Sequence, residues 1–329
     1  MDKLAPKGSK AYDVVICARN NAGILGETLD HVRGQTLAPA SCTVVDGRST
    51  DGTPDLVRNS YPWAEVVIKD ADDGPASSRN IGAHRGQSEF ILFLDSDVLL
   101  NPDWAEEQMK FLERNPDCAV CCGELVFAAE PERIYATYGA LNRYGVGWEM
   151  GRNSRAGTLT EEHRCLWCAT ACMLMRRAVF HEVGEFDAVM FAYHEDSDLG
   201  WRTNIFGYSV YYNPRASAQH KVHGTMNPQS LGWARIAALS YRNRFRSALI
   251  NYEWPHILRY VFGHLVLFLG QTIYRGPRWA RLGALKWNVV NLRDTLKRRR
   301  FVQAGRRRTD RDLWPLFERG LFGPGYYYD

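Results

Sequence analysis

Hydrophobic residues in the first hundred positions fall in short unbroken runs, separated by polar, turn-prone stretches. Tyr12 to Ala18 (YDVVICA), Cys42 to Asp46, Ala64 to Lys69 and Phe90 to Asp95 are such runs. Runs of this length between turn signals predict strands buried on both faces, as in a parallel sheet. Between them the apolar positions change to helical spacing. Ile24, Leu25, Thr28, Leu29 and Val32 form one stripe, Thr53 to Ser60 a second stretch, and Gly74-Pro75 opens a third to about Gly86. Strand and helix alternate four times, which predicts an α/β fold with a Rossmann-like, mostly parallel central sheet flanked by helices. Further on, Asp103 to Asn115 reads as a helix burying Trp104, Gln108, Phe111 and Leu112. Cys118–Phe127, Ala171–Arg176 and Val210–Tyr212 read as strands. A helix opens at Glu195, with Leu199, Thr203 and Phe206 on one face and Gly207 as its stop. Ala129 to Arg164 has no clean period, and long irregular segments inside a domain are usually functional. After Pro228 the chain turns helical and basic, and Leu265, Phe268, Leu269, Thr272 and Ile273 share an apolar face.

Acidic residues sharpen this picture. The run Phe90 to Leu94 leads directly into Asp95-Ser96-Asp97. Two carboxylates one residue apart are hard oxygen ligands suited to Mn²⁺ or Mg²⁺; turn formation or helix capping is the alternative. Asn20, Asp46 and Asp95 with Asp97 end three predicted strands, whose ends share one edge of a parallel sheet where open α/β folds bind ligands. No G-x-G-x-x-G follows the first strand and no G-x-x-x-x-G-K-[ST] occurs, which excludes a dinucleotide dehydrogenase and a P-loop enzyme. Glu195, Asp196 and Asp198 are acids at a predicted helix start. They serve as dipole-complementing caps or, being more than a cap requires, supply a general base. His220 and His223 bracket Lys221-Val222 as candidate partners of the metal crevice.

Composition changes the picture in two places. The net charge of +4 is unevenly spread, with ten Lys/Arg and only two Asp between Lys286 and Arg311. With Trp254, Tyr260, Tyr274, Trp279 and Trp287 nearby, this predicts either a face for an anionic membrane surface or a helical subdomain packed on the sheet. Met1 to Lys10 lacks an apolar signal core, and Ile257 to Tyr274 is interrupted by Arg259, His264 and Gln271. The expectation is therefore a cytoplasmic protein, peripheral on the cytoplasmic face of a membrane. Of the eight cysteines, Cys118-x-x-Cys121 and Cys165-x-x-Cys168 resemble a zinc pattern, but the gap between the pairs is longer than usual and their apolar, strand-like surroundings favour buried thiols.

From Tyr12 to about Thr225 these motifs, in this order, resemble the GT-A-fold, inverting glycosyltransferases of family 2. Val14 to Asn20 is similar to that family's opening strand and donor-site loop, and Val44 to Thr53 to its nucleotide-binding loop. Gly74 to Gly82, Phe93 to Asp97, Gly184 to Asp187 with His194 to Leu199, and His220 to His223 are similar to its later segments. The resemblance implies a nucleotide diphosphate sugar as donor and a glycan or lipid-linked glycan as acceptor, with no nucleic acid partner. It implies that Asp46 and Arg79, with Ala18 and Asn20, hold the nucleotide. Asp97, Asp95 and His220 would bind Mn²⁺ or Mg²⁺, and Asp196, with Glu195 second, would be the catalytic base. Arg48 departs from the family's small residue, and the QxxRW motif of processive synthases is missing, which favours addition of one or a few sugars. The acceptor is expected over Ala129–Arg164 and Trp167. The domain division expected is an extension 1–11, a catalytic domain 12–225 and a helical, basic, membrane-associated region 226–329. The rival readings are a nucleotidyltransferase making an activated sugar and a non-catalytic nucleic-acid or membrane-binding protein using Arg298–Arg300 and Arg306–Arg308.

Overall fold

The computed structural model describes residues 11–222, 232–263, 265–266 and 278–319. His223, and most of the stripe from Leu265 to Ile273, lie outside the described residues. The elements run β1 (Tyr12–Ala18), α1 (Leu25–Arg33), β2 (Ser41–Asp46), α2 (Thr53–Ser60), β3 (Glu65–Ile68), α3 (Pro75–Ala83), β4 (Phe90–Asp95), β5 (Val98–Leu100), α4 (Trp104–Arg114) and β6 (Cys118–Phe127). They continue with β7 (Ile134–Ala136), β8 (Gly139–Leu141), β9 (Gly147–Glu149), β10 (His163–Cys165), β11 (Cys172–Arg176), α5 (Arg177–Glu182), α6 (Glu195–Ile205) and β12 (Ser209–His220). The last long helices are α7 (Trp233–Asn251), α8 (Arg278–Val290) and α9 (Leu292–Ala304). The main sheet has the order β10-β12-β6-β11-β4-β1-β2-β3, with β5 paired to β12 and β7 to β6. β3, β2, β1 and β4 are mutually parallel, while β11 enters antiparallel between β4 and β6. This is the expected mostly parallel sheet.

Side-chain alternation divides the core into two layers. Val14, Ile16, Leu92 and Leu94 face α1 and α4, against Leu25, Leu29, Trp104 and Phe111. Val15, Ile91 and Phe93 face the other way, against Phe180, Phe186 and Trp201. Helix α3 lies close on this second face because position 82 is glycine: a Cβ there would sit 2.3 Å from the Val15 side chain. The same division separates the cysteines. Cys118 and Cys121 belong to the first layer and Cys165 and Cys168 to the second, so the sheet stands between the two CxxC pairs. Burial pushes the thiols of Cys118 and Cys168 up, and the eight cysteines are free.

The C-terminal helices are tied to the sheet domain by buried polar contacts. Arg246 on α7 donates from Nε to Asp187 at 2.7 Å, and also reaches Asp294 and Thr295 on α9. Asp198 on α6 is fully buried, and accepts from Arg202 at 2.8 Å and from Ser247 and Asn251 of α7 at 2.9 Å each. Half of the basic run is used in the same way. Arg298, Arg299, Arg306, Arg307 and Arg308 each donate to backbone carbonyls, with Arg307 and Arg308 covering the end of α6 at Phe206, Gly207 and Tyr208. Arginines placed there satisfy carbonyls that a helix terminus leaves without partners.

Truncating Asp187 to alanine takes from the buried Arg246 guanidinium one of its two carboxylate partners, leaving it Asp294 and Thr295. Losing one partner of a buried ion pair costs about 3–5 kcal/mol, so the urea unfolding midpoint of Asp187→Ala is expected to fall clearly. The paired exchange Asp187→Leu with Arg246→Met is expected to recover most of that loss. A midpoint unchanged in Asp187→Ala would show that the ion pair does not couple the helices to the sheet.

Candidate active site

The parallel register brings the candidate residues to one edge. Ala18 is opposite Asp46 across β1 and β2, and Cys17 is opposite Asp95 across β1 and β4. The loops beyond these ends are laced together. Asp46 is buried; its Oδ2 accepts from the Ser49 amide at 2.9 Å and its Oδ1 from the Ser49 hydroxyl at 2.5 Å. Asn20 sits at φ 53° and accepts from the Thr50 amide at 2.9 Å, while its own amide donates to Ser49 Oγ. Arg48 also lies in the left-handed region, at φ 66°, where a small residue such as glycine would be unstrained. Its guanidinium donates to the Asp70 carbonyl at 3.1 Å, joining the β2 loop to the β3 loop. Arg19 pairs with Asp72 of that same loop.

A second group forms where β4 turns into β5. β5 pairs antiparallel with β12, setting His220 opposite Val98, so the ladder itself carries the histidine to Asp97. His220 Nε2 lies 3.1 Å from Asp97 Oδ1, and the Lys221 amide donates to the Asp97 carbonyl at 3.0 Å. Asp95, Asp97 and His220 each offer a ligand atom within 4.8 Å of the others. Asp97 and His220 are buried, and His220 Nδ1 has no hydrogen-bond partner among the described residues. Two carboxylates and an imidazole nitrogen fit a divalent ion that accepts mixed oxygen and nitrogen donors, Mn²⁺ more readily than Mg²⁺.

The acids of α6 reach this group through one side chain. Arg79, on α3 and only 4 % exposed, donates from Nη2 to Asp95 Oδ1 at 3.0 Å and from Nη1 to Glu195 Oε1 at 2.9 Å. The sequence reading set Arg79 against a nucleotide; the structure gives its guanidinium two carboxylate partners. Three residues before α6 lie in the left-handed region: Phe191 at φ 68°, Tyr193 at 64° and His194 at 74°. Asn243 of α7 holds this loop, donating to the carbonyls of Met190, Ala192 and Tyr193 at 2.9, 2.8 and 2.7 Å. Burial raises the carboxyl of Glu195, with Arg79 opposing the shift. Burial, and then the adjacent Glu195 charge, raise Asp196 well above the ordinary carboxylate range.

Sequence reasoning did not single out the side chains that the irregular segment supplies. Tyr135 packs edge-on against His220, with ring centroids 4.3 Å apart, and the Arg152 guanidinium lies 4.6 Å over the Tyr135 ring. Glu149 is near enough to contribute to the raised carboxyl of Asp196. The available signal was composition, since this stretch concentrates Tyr and Arg without a period. Trp167, expected to stack on a sugar, is instead 4 % exposed, with its ring filling the space that Gly139 leaves and its backbone and Cβ close against Gly200. Two glycines let it pack into the core.

A family model described as glycosyl transferase family 2 matches residues 13–184. The pre-mycofactocin glycosyltransferase of Mycobacterium tuberculosis is 29 % identical over 217 residues, covering 65 % of this chain and 44 % of the relative. The N-acetylglucosaminyl-diphospho-decaprenol L-rhamnosyltransferase of the same organism is 29 % identical over 216 residues, covering 58 % and 69 %. The chain thus spans less than half the length of the first of these relatives. Among solved structures, GalNAc-T7 with UDP, GalNAc and Mn²⁺ superposes with a TM-score of 0.60 at 15 % identity, covering 76 % of this chain and 49 % of that one. The mannosyltransferase PcManGT of Pyrobaculum calidifontis, in complex with GDP-Man and Mn²⁺, gives 0.52 at 17 % identity, covering 92 % and 87 %. These likenesses bear out the GT-A fold. With the family match extending over just over half of its length, the chain belongs to glycosyl transferase family 2.

Proposed function

We propose that the chain transfers a sugar from a nucleotide diphosphate sugar to an acceptor hydroxyl with inversion, using Mn²⁺ or Mg²⁺ held by Asp97, Asp95 and His220. The observation that carries this reading is the continuous set Asp97–His220, Asp95–Arg79–Glu195 and Asp196, in which metal-type ligands adjoin a raised carboxyl. The bound ion supplies positive charge against the departing nucleoside diphosphate. Ala18, Asn20 and Asp46 form the nucleotide end of the crevice, and Arg79 orients Asp95 and Glu195 while adding charge beneath the donor. Glu195 is held by Arg79, which leaves Asp196 to take the proton from the acceptor hydroxyl as it attacks the anomeric carbon. A single displacement of this kind inverts the centre without a protein nucleophile. Calorimetric titration with nucleoside diphosphates is expected to give Mn²⁺-dependent binding of one base class, lost in Asp97→Ala. Equal binding in that variant would remove the metal assignment.

The raised Asp196 carboxyl fixes the sign of two pH effects. As a base it works only above its own pKa, so transfer falls as pH drops through a value higher than an ordinary carboxylate would set. Between the unfolded and the raised folded pKa the native chain holds a proton the unfolded chain releases, so stability declines as pH rises through that window. Asp196→Asn is therefore expected to lose transfer by a factor of about 10²–10⁴ while binding donor and unfolding no earlier than the parent. Retained transfer, or a collapse of stability, would displace Asp196 from this role.

We assign the acceptor to glycans or lipid-linked glycans met at an anionic membrane surface. Eleven of the fifteen exposed large hydrophobics among the described residues lie between Trp254 and Phe301. Trp254, Leu258, Phe262 and Val266 recur every fourth residue, 56–73 % exposed, and Trp279 is 85 % exposed. Exposed Arg259, Lys286, Arg293, Lys297 and Arg300 are interspersed, and the only acid from 254 to 301 is Asp294, which pairs with Arg246. Apolar and cationic side chains on one surface suit the headgroup–acyl boundary of an anionic bilayer. Among the described residues no helix is long and apolar enough to cross a membrane. Co-sedimentation with phosphatidylglycerol vesicles is expected, weakened several-fold by Leu258→Glu with Phe262→Glu and by high salt. Unchanged sedimentation in the double variant would instead assign this face to protein contacts.

A further inference from the structure

At the C-terminal end of α3, the chain builds a second group of metal-type ligands. His84 caps α3, its amide bonded to the Asn80 carbonyl at 3.2 Å. His181 lies in the last turn of α5, and Glu185 follows three residues after that helix ends. Gly184 and Glu185 both take left-handed conformations, at φ 86° and 58°, and so fold the chain back onto its helix: the Glu185 amide bonds the Phe180 carbonyl at 2.9 Å. A non-glycine residue in that region is uncommon, and here it aims the carboxylate at both rings. His84 Nε2 and His181 Nδ1 each lie 2.9 Å from the same oxygen, Oε1 of Glu185. The rings are 5.1 Å apart and tilted by 36°.

We propose that His84, His181 and Glu185 form a zinc-type divalent site, separate from the acidic crevice, that clips α3 to the turn after α5. Two imidazole nitrogens and one carboxylate oxygen are a known donor set for Zn²⁺, with a fourth position left to water. Ligands at ~2.0–2.1 Å from a tetrahedral ion stand about 3.3 Å apart, so the two nitrogen–oxygen separations need to open by only a few tenths of an ångström. The donors are soft enough to prefer zinc, whereas the oxygen-rich crevice suits Mn²⁺ or Mg²⁺. The remaining described cluster, Glu253–His256–Asp310, is saturated by Arg306 and by backbone amides and leaves no such opening. A clip at this point bears on the crevice. Asn80 exchanges two hydrogen bonds with the Phe186 backbone, at 3.0 and 3.1 Å, and the Arg79 guanidinium lies 5.7 Å over the Phe186 ring. Fixing Glu185 to His84 thus secures the helix that carries Arg79.

The test uses untagged full-length protein and Zn²⁺ alone in equilibrium dialysis, with Asp97→Asn silencing the crevice. Asp97→Asn is expected to retain about one equivalent of zinc, bound at least tenfold more weakly once His84→Gln and His181→Gln are added. Equal retention with and without the histidine exchanges, or no retention in Asp97→Asn, would overturn the proposal. Because His84 and His181 are exposed, a second measurement separates ligation from folding. Zinc is expected to raise the urea midpoint of Asp97→Asn and not that of Asp97→Asn carrying His84→Gln and His181→Gln, with the two midpoints matching in chelator. A midpoint raised equally by zinc in both, or already lowered in chelator, would show contacts that hold the turn without an ion.

Discussion

A single guanidinium lies between the two halves of this candidate active site. Arg79 is buried, yet each of its two terminal nitrogens meets a carboxylate, Asp95 at the end of a strand and Glu195 at the start of a helix. A charge in that position is tolerated only with matched partners, since desolvation would otherwise outweigh any local gain. The constraint works in both directions. The arginine requires the strand end and the helix start to sit within reach, and the two acids require the arginine to remain ionised. Much of the surrounding architecture serves that spacing: Gly82 lets α3 approach β1, and Asn80 fixes α3 to the Phe186 backbone.

The loop that leads into the acids of α6 is built by a different logic. Phe191, Tyr193 and His194 adopt backbone conformations that side-chain-bearing residues seldom occupy. The carbonyls of Met190, Ala192 and Tyr193 in this loop are collected by one amide group, Asn243, from a helix some fifty residues further along the chain. The helices after the sheet domain are therefore part of the site's construction. Their arginines, which from sequence resemble a nucleic-acid-binding run, are largely occupied in closing the ends of other helices.

These two devices mark where sequence reading succeeds and where it stops. The runs at Tyr12, Cys42 and Phe90 identify strands because burial on both faces leaves an unbroken apolar signature. Parallel order then brings Ala18, Asp46 and Asp95 to one edge. Asp97 with His220 was approachable as a motif, but its physical basis is the pairing of the three-residue β5 with β12, too short to announce itself by periodicity. Long-range side-chain choices were not legible. Whether Trp167 faces a ligand or the core depends on the glycines at 139 and 200, which meet it only in three dimensions. Tyr135, Glu149 and Arg152 lay in a segment whose lack of period concealed which side chains turn inward.

The dependence of the loop on Asn243 has a consequence for the timing of synthesis. A ribosome delivers the sheet, the acid pair and the whole of α6 well before it delivers α7. Until that later helix emerges and docks, the carbonyls of Met190, Ala192 and Tyr193 lack the amide that gathers them, and the acids that follow have no fixed bearing. The order of synthesis thus places the last support of this loop after every strand of the sheet.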